Sequence, residues 1–440
     1  MSTTYDVHDS DYWEHQSLSD ELNRVFDICH GCRRCYQLCP SFDVMLKRID
    51  QEGDAEVAGL KQKDFDTVVD LCYQCKLCIP HCPYTPPHRW MVDFPRLMLR
   101  SKAVKAKKEG VSLQDNFLGH TDFMGKFGVA TSKIANWLNE RRAHRFLMEE
   151  IVGLDKDRVL PTFNNQTFKS WFDKHSSPAS KGEDKIALFY TCSVNYQELD
   201  TGKSCVSVLE HNNLDVSCPE QKCCGMPFLD GGDVDAATEN AAFNTKQLAD
   251  AVRSGRKIVV PGPTCSFMLK HEYPTLVGTD EAKLVAENTF DICEYLVLQK
   301  RAGKLKTDFK HNPGKIAYHL PCHLRVQNIG FKSRDLMKLT GAQIEVIDRC
   351  SAVDGTWGFK KEYYQLSRKI AEPLFAQMTA SETSTMVSDC PLAAIQIKDG
   401  TGVKPLHPIQ IIEQSYGLLD DNESQVHTDK GSNNEANKHF

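Results

Sequence analysis

Before residue 100, apolar positions such as Val44, Leu46, Phe65, Val68, Val69 and Leu71 fall at intervals that predict helices broken near Gly53, not alternating strands. The next stretch stays helical: Phe123, Phe127, Ile134 and Leu138 recur at helical spacing, with Arg141, Arg142 and Arg145 just beyond. Such a stripe either packs on a core or forms an amphipathic surface for a partner or a membrane interface. From Lys185 the grammar changes. Short β-rich runs (IALFY, KIVVPGP) alternate with long helical patterns such as VDAATENAAFNTKQLADAVRSG, which predicts α/β architecture with a mostly parallel sheet.

This last pattern occurs twice. KIALFYTC, from Lys185, resembles KIAYHLPC, from Lys315, so Cys192 pairs with Cys322. Cys223-Cys224-Gly225 maps onto Cys350-Ser351-Ala352, and Gly262-Pro263-Thr264-Cys265 onto Cys390-Pro391-Leu392-Ala393, at nearly the same offset. Constant spacing through several landmarks indicates a duplicated domain. The expected organisation is a helical domain over 1–100, a helical connecting region over 101–183, and α/β domains over 184–300 and 313–418. KRAGKLKTDFKHNPGK reads as the linker between the α/β domains, and 419–440 as a disordered polar tail.

Composition narrows the class. The chain has 440 residues, 41% hydrophobic and 25% charged, which is ordinary for a globular protein. A formal net charge of −6 argues against nucleic acid as a partner. The acidic N-terminus carries no secretory signal and no apolar run approaches a bilayer span, so the expected location is cytoplasmic, or peripheral on the cytoplasmic face of a membrane. In that setting the 18 cysteines are better used for metal ligation than for disulfides.

Eight of them form two matching runs, Cys29-x2-Cys32-x2-Cys35-x3-Cys39-Pro40 and Cys72-x2-Cys75-x2-Cys78-x3-Cys82-Pro83. This is the spacing of a two-cluster ferredoxin and implies two [4Fe–4S] clusters. In that arrangement the fourth thiolate of each run crosses over. Cys29, Cys32, Cys35 and Cys82 would hold one cluster; Cys72, Cys75, Cys78 and Cys39 the other. The proline after each fourth cysteine should stop the local helix. His30 and His81, inside the loops, are expected to tune or shield a cluster.

The duplicated domains offer a second group. Cys192, Cys223, Cys224 and Cys265 come from three loops at the carboxyl ends of predicted strands, where sites of parallel sheets assemble. Four soft ligands suit an iron–sulfur cluster or a zinc ion, and Gly225 permits a tight turn around it. The second copy keeps Cys322, Cys350 and Cys390, with His319, His323 and Asp389 nearby to complete a coordination sphere. Cys205, Cys218 and Cys293 read as structural thiols. There is no dinucleotide or ATP fingerprint.

Together with GHTDFMG, CSVNY, KCCGMPF, PTCSFMLKHEYP, YHLPCH, GFKKEYY and HPIQII, these runs resemble the heterodisulfide-reductase-related iron–sulfur proteins with CCG domains. The resemblance implies an α-helical di-cluster ferredoxin domain followed by two tandem cysteine-rich CCG domains, the second degenerate. It also implies electron transfer between a flavin-containing dehydrogenase partner and quinone or another acceptor, with peripheral membrane association. A catalytic thiol or disulfide reductase using the first CCG domain is the alternative; a non-enzymatic redox sensor is a third reading.

Overall fold

The structure, a computed structural model, describes residues 5–177, 182 and 184–418; the tail expected over 419–440 lies outside them. Helices His15–Cys32, Pro40–Gln51, Gln62–Asp70 and Phe94–Glu109 form the N-terminal part. Their apolar faces meet in a core that includes Phe26, Phe42, Met45, Phe65, Phe94 and Met98, where the Phe42 and Phe94 rings stack with centroids 4.3 Å apart. The expected break near Gly53 is a 3-10 segment, Gly53–Gly59. One expectation is corrected: Pro40 does not stop a helix but opens one, at the first turn, where its missing N–H has no partner to lose. Helix Phe94–Glu109 also runs on past Arg100 through the basic stretch.

The remainder is built on two parallel sheets. Strands β1 (Lys185–Leu188), β2 (Asp215–Ser217), β3 (Arg256–Val260) and β4 (Thr289–Asp291) are ordered β2-β1-β3-β4. Strands β5 (Lys315–His319), β6 (Gln343–Ile347) and β7 (Met386–Ser388) are ordered β6-β5-β7, so each takes the place of its counterpart in the first sheet. The fourth strand of the second copy is reduced to one parallel bridge, Val387 to Leu406. Both repeats reverse their strand order beside the central strand, the point at which loops diverge and leave room for a site.

The repeats share a core. Ile186, Leu188 and Val259 of the first lie in one buried cluster with Ile316, Tyr318 and Val387 of the second. The exchange is reciprocal: helix Leu199–His211 packs on Pro408–Tyr416, and Ile292–Arg301 on Lys332–Lys338. His407 caps the helix Pro408–Tyr416, its Nδ1 accepting from the Ile409 N–H at 3.1 Å. The basic linker is strapped down, with the Lys310 and His311 N–H groups both donating to the Ser415 carbonyl.

The connecting region comprises short helices, among them Leu113–Gly119, Thr121–Ala130, Ser132–Asn139 and Arg142–Val152, laid across the carboxyl ends of both sheets. Two polar contacts pin it. Asp122 accepts from the Cys223 N–H at 2.7 Å and from the Tyr196 hydroxyl at 3.2 Å. The fully buried Arg158 reaches the second repeat, donating to the Gly358 carbonyl at 2.8 and 2.6 Å and pairing with Asp399 at 3.2 Å.

Candidate metal centres

Cys29 lies near the end of helix His15–Cys32, and a pocket beside it is lined by Cys29, Cys32, Cys35 and Cys82 with Phe42, Leu46 and Tyr84. Burial pushes the Cys29 thiol up, reinforced by Cys35, Cys82 and Cys32; burial and Cys82 push Cys35 up to about 11. Cys39, at the N-cap of Pro40–Gln51, belongs with the other run: burial and then Cys72 push it up to about 12. Cys78 is raised by burial and by Cys75, Cys72 and Cys39. The fourth cysteine of each run therefore sits among the first three of the other. Buried thiols crowded in this way keep their protons unless a cation neutralises the thiolates, which suits an iron cluster.

The loops are shaped for the same purpose. Arg33, Gln37, Gln74 and Lys76 have φ of 53°, 64°, 56° and 59°, a left-handed conformation costly for residues with side chains. Strain of this kind persists where a bound group overdetermines the backbone. Backbone N–H groups of Ser41 and Phe42 donate to Cys39, and those of Tyr84 and Thr85 to Cys82, the type of contact that sets a cluster's potential. His30 pairs with Asp50 at 3.4 Å. Lys76 is buried against Glu272 at 3.3 Å; burial alone would raise Glu272, but Lys76 and Arg96 outweigh it and hold the carboxyl down at about 2.

In the first repeat, Cys192 follows β1, Cys223 and Cys224 follow β2, and Cys265 follows β3. The sulfurs of Cys192 and Cys223 are 4.0 Å apart and those of Cys224 and Cys265 3.4 Å. Cys223 is pulled well below the usual thiol range chiefly by hydrogen bonding with Cys192 and Cys224, whereas that bonding raises Cys192 and Cys224. Gly225 adopts φ +91°, and a Cβ there would meet the Ala237 carbonyl oxygen at 3.1 Å. All four expected thiols meet.

The second repeat differs from expectation. Cys322, Cys350 and Cys390 each have Asp354 as a charged neighbour, but His319, His323 and Asp389 are engaged elsewhere. His319 is held by Ser388 and the Arg349 carbonyl, and Asp389 by Tyr318 and Ser333. His323 has both ring nitrogens engaged, by Thr264 and by the Gln74 carbonyl, each at 2.9 Å. The group nearest the thiols is Asp354, whose Oδ2 accepts from the Cys322 Sγ at 2.8 Å. Sequence reasoning missed it; its signal was an acid four residues after Cys350 in the loop leaving β6. It also missed Asp122, the acid of GHTDFMG. Cys205 and Cys293 are fully buried in the shared core and Cys218 packs against it.

An apolar cavity of about 650 Å³ opens over these thiols. Its floor includes Cys192, Cys223, Cys224, Cys265 and Cys390; its walls come from the connecting helices, with Phe127, Ile134, Leu138 and Ile151 among them. Around its mouth the apolar stripe is exposed: Phe123, Ile134 and Ile151 are 68%, 63% and 65% accessible. The His144 Nδ1, on the cavity wall, is buried without a hydrogen-bond partner. No helix among the described residues is long and apolar enough to cross a membrane.

Residues 22–108 match the family described as the citrate utilization protein B Fer4-like domain, and residues 186–270 and 316–398 each match the cysteine-rich CCG domain. The C subunit of anaerobic glycerol-3-phosphate dehydrogenase from Escherichia coli K12 is 30% identical over 308 residues, covering 69% of this chain and 77% of the relative. Lactate utilization protein A of Bacillus thuringiensis is 29% identical over 187 residues, 40% of this chain and 75% of the relative. With the helical Fer4-like part and two parallel cysteine-rich domains both present, the chain belongs to the CCG-domain iron–sulfur proteins, the family that includes the C subunit of anaerobic glycerol-3-phosphate dehydrogenase.

Proposed function

We propose that this chain is the electron-relay subunit of a dehydrogenase complex. It takes electrons from a flavin-containing partner and passes them to quinone at the membrane interface. Cys29, Cys32, Cys35 and Cys82 hold one [4Fe–4S] cluster and Cys72, Cys75, Cys78 and Cys39 the second. Cys192, Cys223, Cys224 and Cys265 hold a third metal centre. Bound clusters supply one-electron chemistry; the chain supplies thiolates, buried N–H donors to sulfur and exclusion of water.

The observation that carries the acceptor is the apolar cavity beside the first repeat's thiols, ringed by exposed apolar side chains. A lipid-soluble carrier with a long apolar tail suits such a wall, and the unpartnered His144 Nδ1 can meet a quinone oxygen at the polar end. Lys126, Lys133, Arg141 and Arg142 lie in the same stretch and complement anionic lipid.

Anaerobically purified protein should carry about eight irons on the two runs, with any excess on the repeats. Reduced protein should then reduce a soluble naphthoquinone. Leu138→Trp, which fills the cavity, should slow that step by about tenfold or more, roughly 1.4 kcal/mol in barrier, with iron content intact. Unchanged quinone reduction would end the assignment of the acceptor, and a folded chain without iron would end the relay itself. Disulfide turnover lost specifically in Cys224→Ala would favour a thiol or disulfide reductase instead.

A further inference from the structure

One imidazole touches three parts of the chain. His323 is buried in helix Cys322–Val326 of the second repeat. Its Nε2 meets the Gln74 carbonyl and its Nδ1 the Thr264 hydroxyl, each at 2.9 Å. Gln74 immediately precedes Cys75 of the ferredoxin runs, and Thr264 immediately precedes Cys265 of the first repeat. Thr264 and Cys265 also line the apolar cavity. We infer that His323 is a positioning residue of the relay: through two hydrogen bonds it joins the backbone at Cys75 to the first repeat at Cys265 and carries the electronic coupling between them. The inference rests on the relay reading and needs no metal at the second repeat's own thiols.

The two hydrogen bonds run in one direction. A carbonyl only accepts, so Nε2 carries the ring proton, and in the neutral ring Nδ1 accepts from the Thr264 hydroxyl. The ring is also held in place. It lies against Phe267, with centroids 5.4 Å apart and planes 18° from parallel. The Gln327 amide donates to the Pro263 carbonyl at 3.2 Å, the Ser266 hydroxyl at 2.9 Å and the His323 carbonyl at 3.0 Å. These bonds clamp helix Cys322–Val326 to helix Pro263–Phe267 on either side of Thr264. The ties that Lys76 and Arg96 make to the first repeat end instead at Glu272, further along the chain from Cys265.

Electronic coupling decays less steeply along covalent and hydrogen bonds than across gaps between packed atoms. Each hydrogen bond here lands on the residue next to a ligand cysteine, so a bonded path with one ring links Cys75 to Cys265. In each crossing one electron leaves the group held by Cys39, Cys72, Cys75 and Cys78. One arrives at the group held by Cys192, Cys223, Cys224 and Cys265. His323 itself gains and loses neither electron nor proton. The Gln74 carbonyl also shares its peptide unit with the Cys75 N–H. A donor on that carbonyl draws electron density from the peptide beside the ligand, and polarisation of this kind near sulfur raises a cluster's potential.

The test uses the full chain reconstituted anaerobically with iron. Redox titration followed by electron paramagnetic resonance reads the midpoints, and oxidation of the reduced protein by soluble naphthoquinone reads the transfer. His323→Phe keeps a ring against Phe267 but loses both hydrogen bonds. With iron content intact, it should slow transfer by about tenfold or more and move one ferredoxin midpoint to more negative potential. Thr264→Val cuts the first-repeat side alone, so transfer should slow while both midpoints stay. His323→Gln, whose amide can donate to Gln74 and accept from Thr264, should recover rate and midpoint together. Unchanged rate and midpoints in His323→Phe, or His323→Gln as impaired as His323→Phe, would overturn the inference and leave the relay intact. Should His323→Phe lose iron, Thr264→Val decides, and an unchanged rate there overturns the inference. An unaltered chain that takes up no iron, or passes nothing to naphthoquinone, would instead overturn the relay reading.

Discussion

The two cysteine-rich repeats share a strand order and place their thiols at equivalent strand ends, but they face different neighbours. Four cysteines of the first repeat lie on the floor of the apolar cavity, joined from the second by Cys390 alone; Cys350 instead meets Tyr73 of the ferredoxin loop, and His323, beside Cys322, meets the Gln74 carbonyl. The turn that carries the paired cysteines shows the same divergence: Gly225 has φ +91°, and its counterpart Ala352 keeps a left-handed φ of +51° although it has a side chain. The turn keeps a left-handed shape in both copies, with the residue suited to it in only one. Two copies of one motif thus share a backbone shape while meeting different surroundings.

The most damaging way to break the comparison is to cut the second repeat's tie to the connecting helices. Arg158→Met leaves Asp399 with Arg368 and the Tyr364 hydroxyl as partners and the Gly358 carbonyl unpaired, which should cost about 3 kcal/mol. Thermal unfolding should begin about 5 °C earlier or more, with iron lost first from the repeats. An unchanged midpoint would mean that the connector is not anchored there.

A smaller effect lies at the seam between the repeats. Asp291 of the first is fully buried, and burial, then Asp389 of the second, pushes it up to about 8. Its proton is held in the folded chain and released in the unfolded one, so its contribution is fully present below about pH 4 and is lost as pH rises towards about 8. The unaltered protein should lose stability across about pH 6 to 8 with a slope no steeper than about 1.4 kcal/mol per pH unit. Asp291→Asn, which still caps helix Ile292–Arg301, should flatten the profile. Parallel profiles would show that Asp291 does not sense the seam.

The finest distinction is at the paired turns. Ala352→Gly should stabilise the chain by about 1 kcal/mol, whereas Gly225→Ala should destabilise it by at least as much. Chemical denaturation of the metal-free protein reads both. Equal effects of the same sign would contradict the difference between the turns.

Periodicity revealed the helical start, the break at Gly53 and the duplicated parallel sheets because local pattern and tertiary structure agree there. The cysteine runs carried their own grouping, since fixed spacing constrains which sulfurs can meet. Asp354 and Asp122 were not legible for the opposite reason: single acids in loops carry no period, and their importance comes from contacts made across the fold. Pro40 was misread because the same residue that ends one helix can begin another. The stripe from Phe123 to Leu138 fitted both a packed and an exposed helix, and only the fold showed Phe123, Phe127 and Ile134 exposed and Leu138 half-buried on the cavity wall.

The exchanged helices of the two repeats carry a history. Each half completes the apolar surface of the other in the manner of a twofold symmetric dimer whose halves have been joined end to end by residues 302–314. In a true homodimer every substitution appears twice, so Ser351 or Asp354 would alter both sites at once. Within one chain each repeat can change alone, and the two differ accordingly: the first has Cys224 and Cys265 where the second has Ser351 and Ala393, and the second has Cys390 where the first has Gly262.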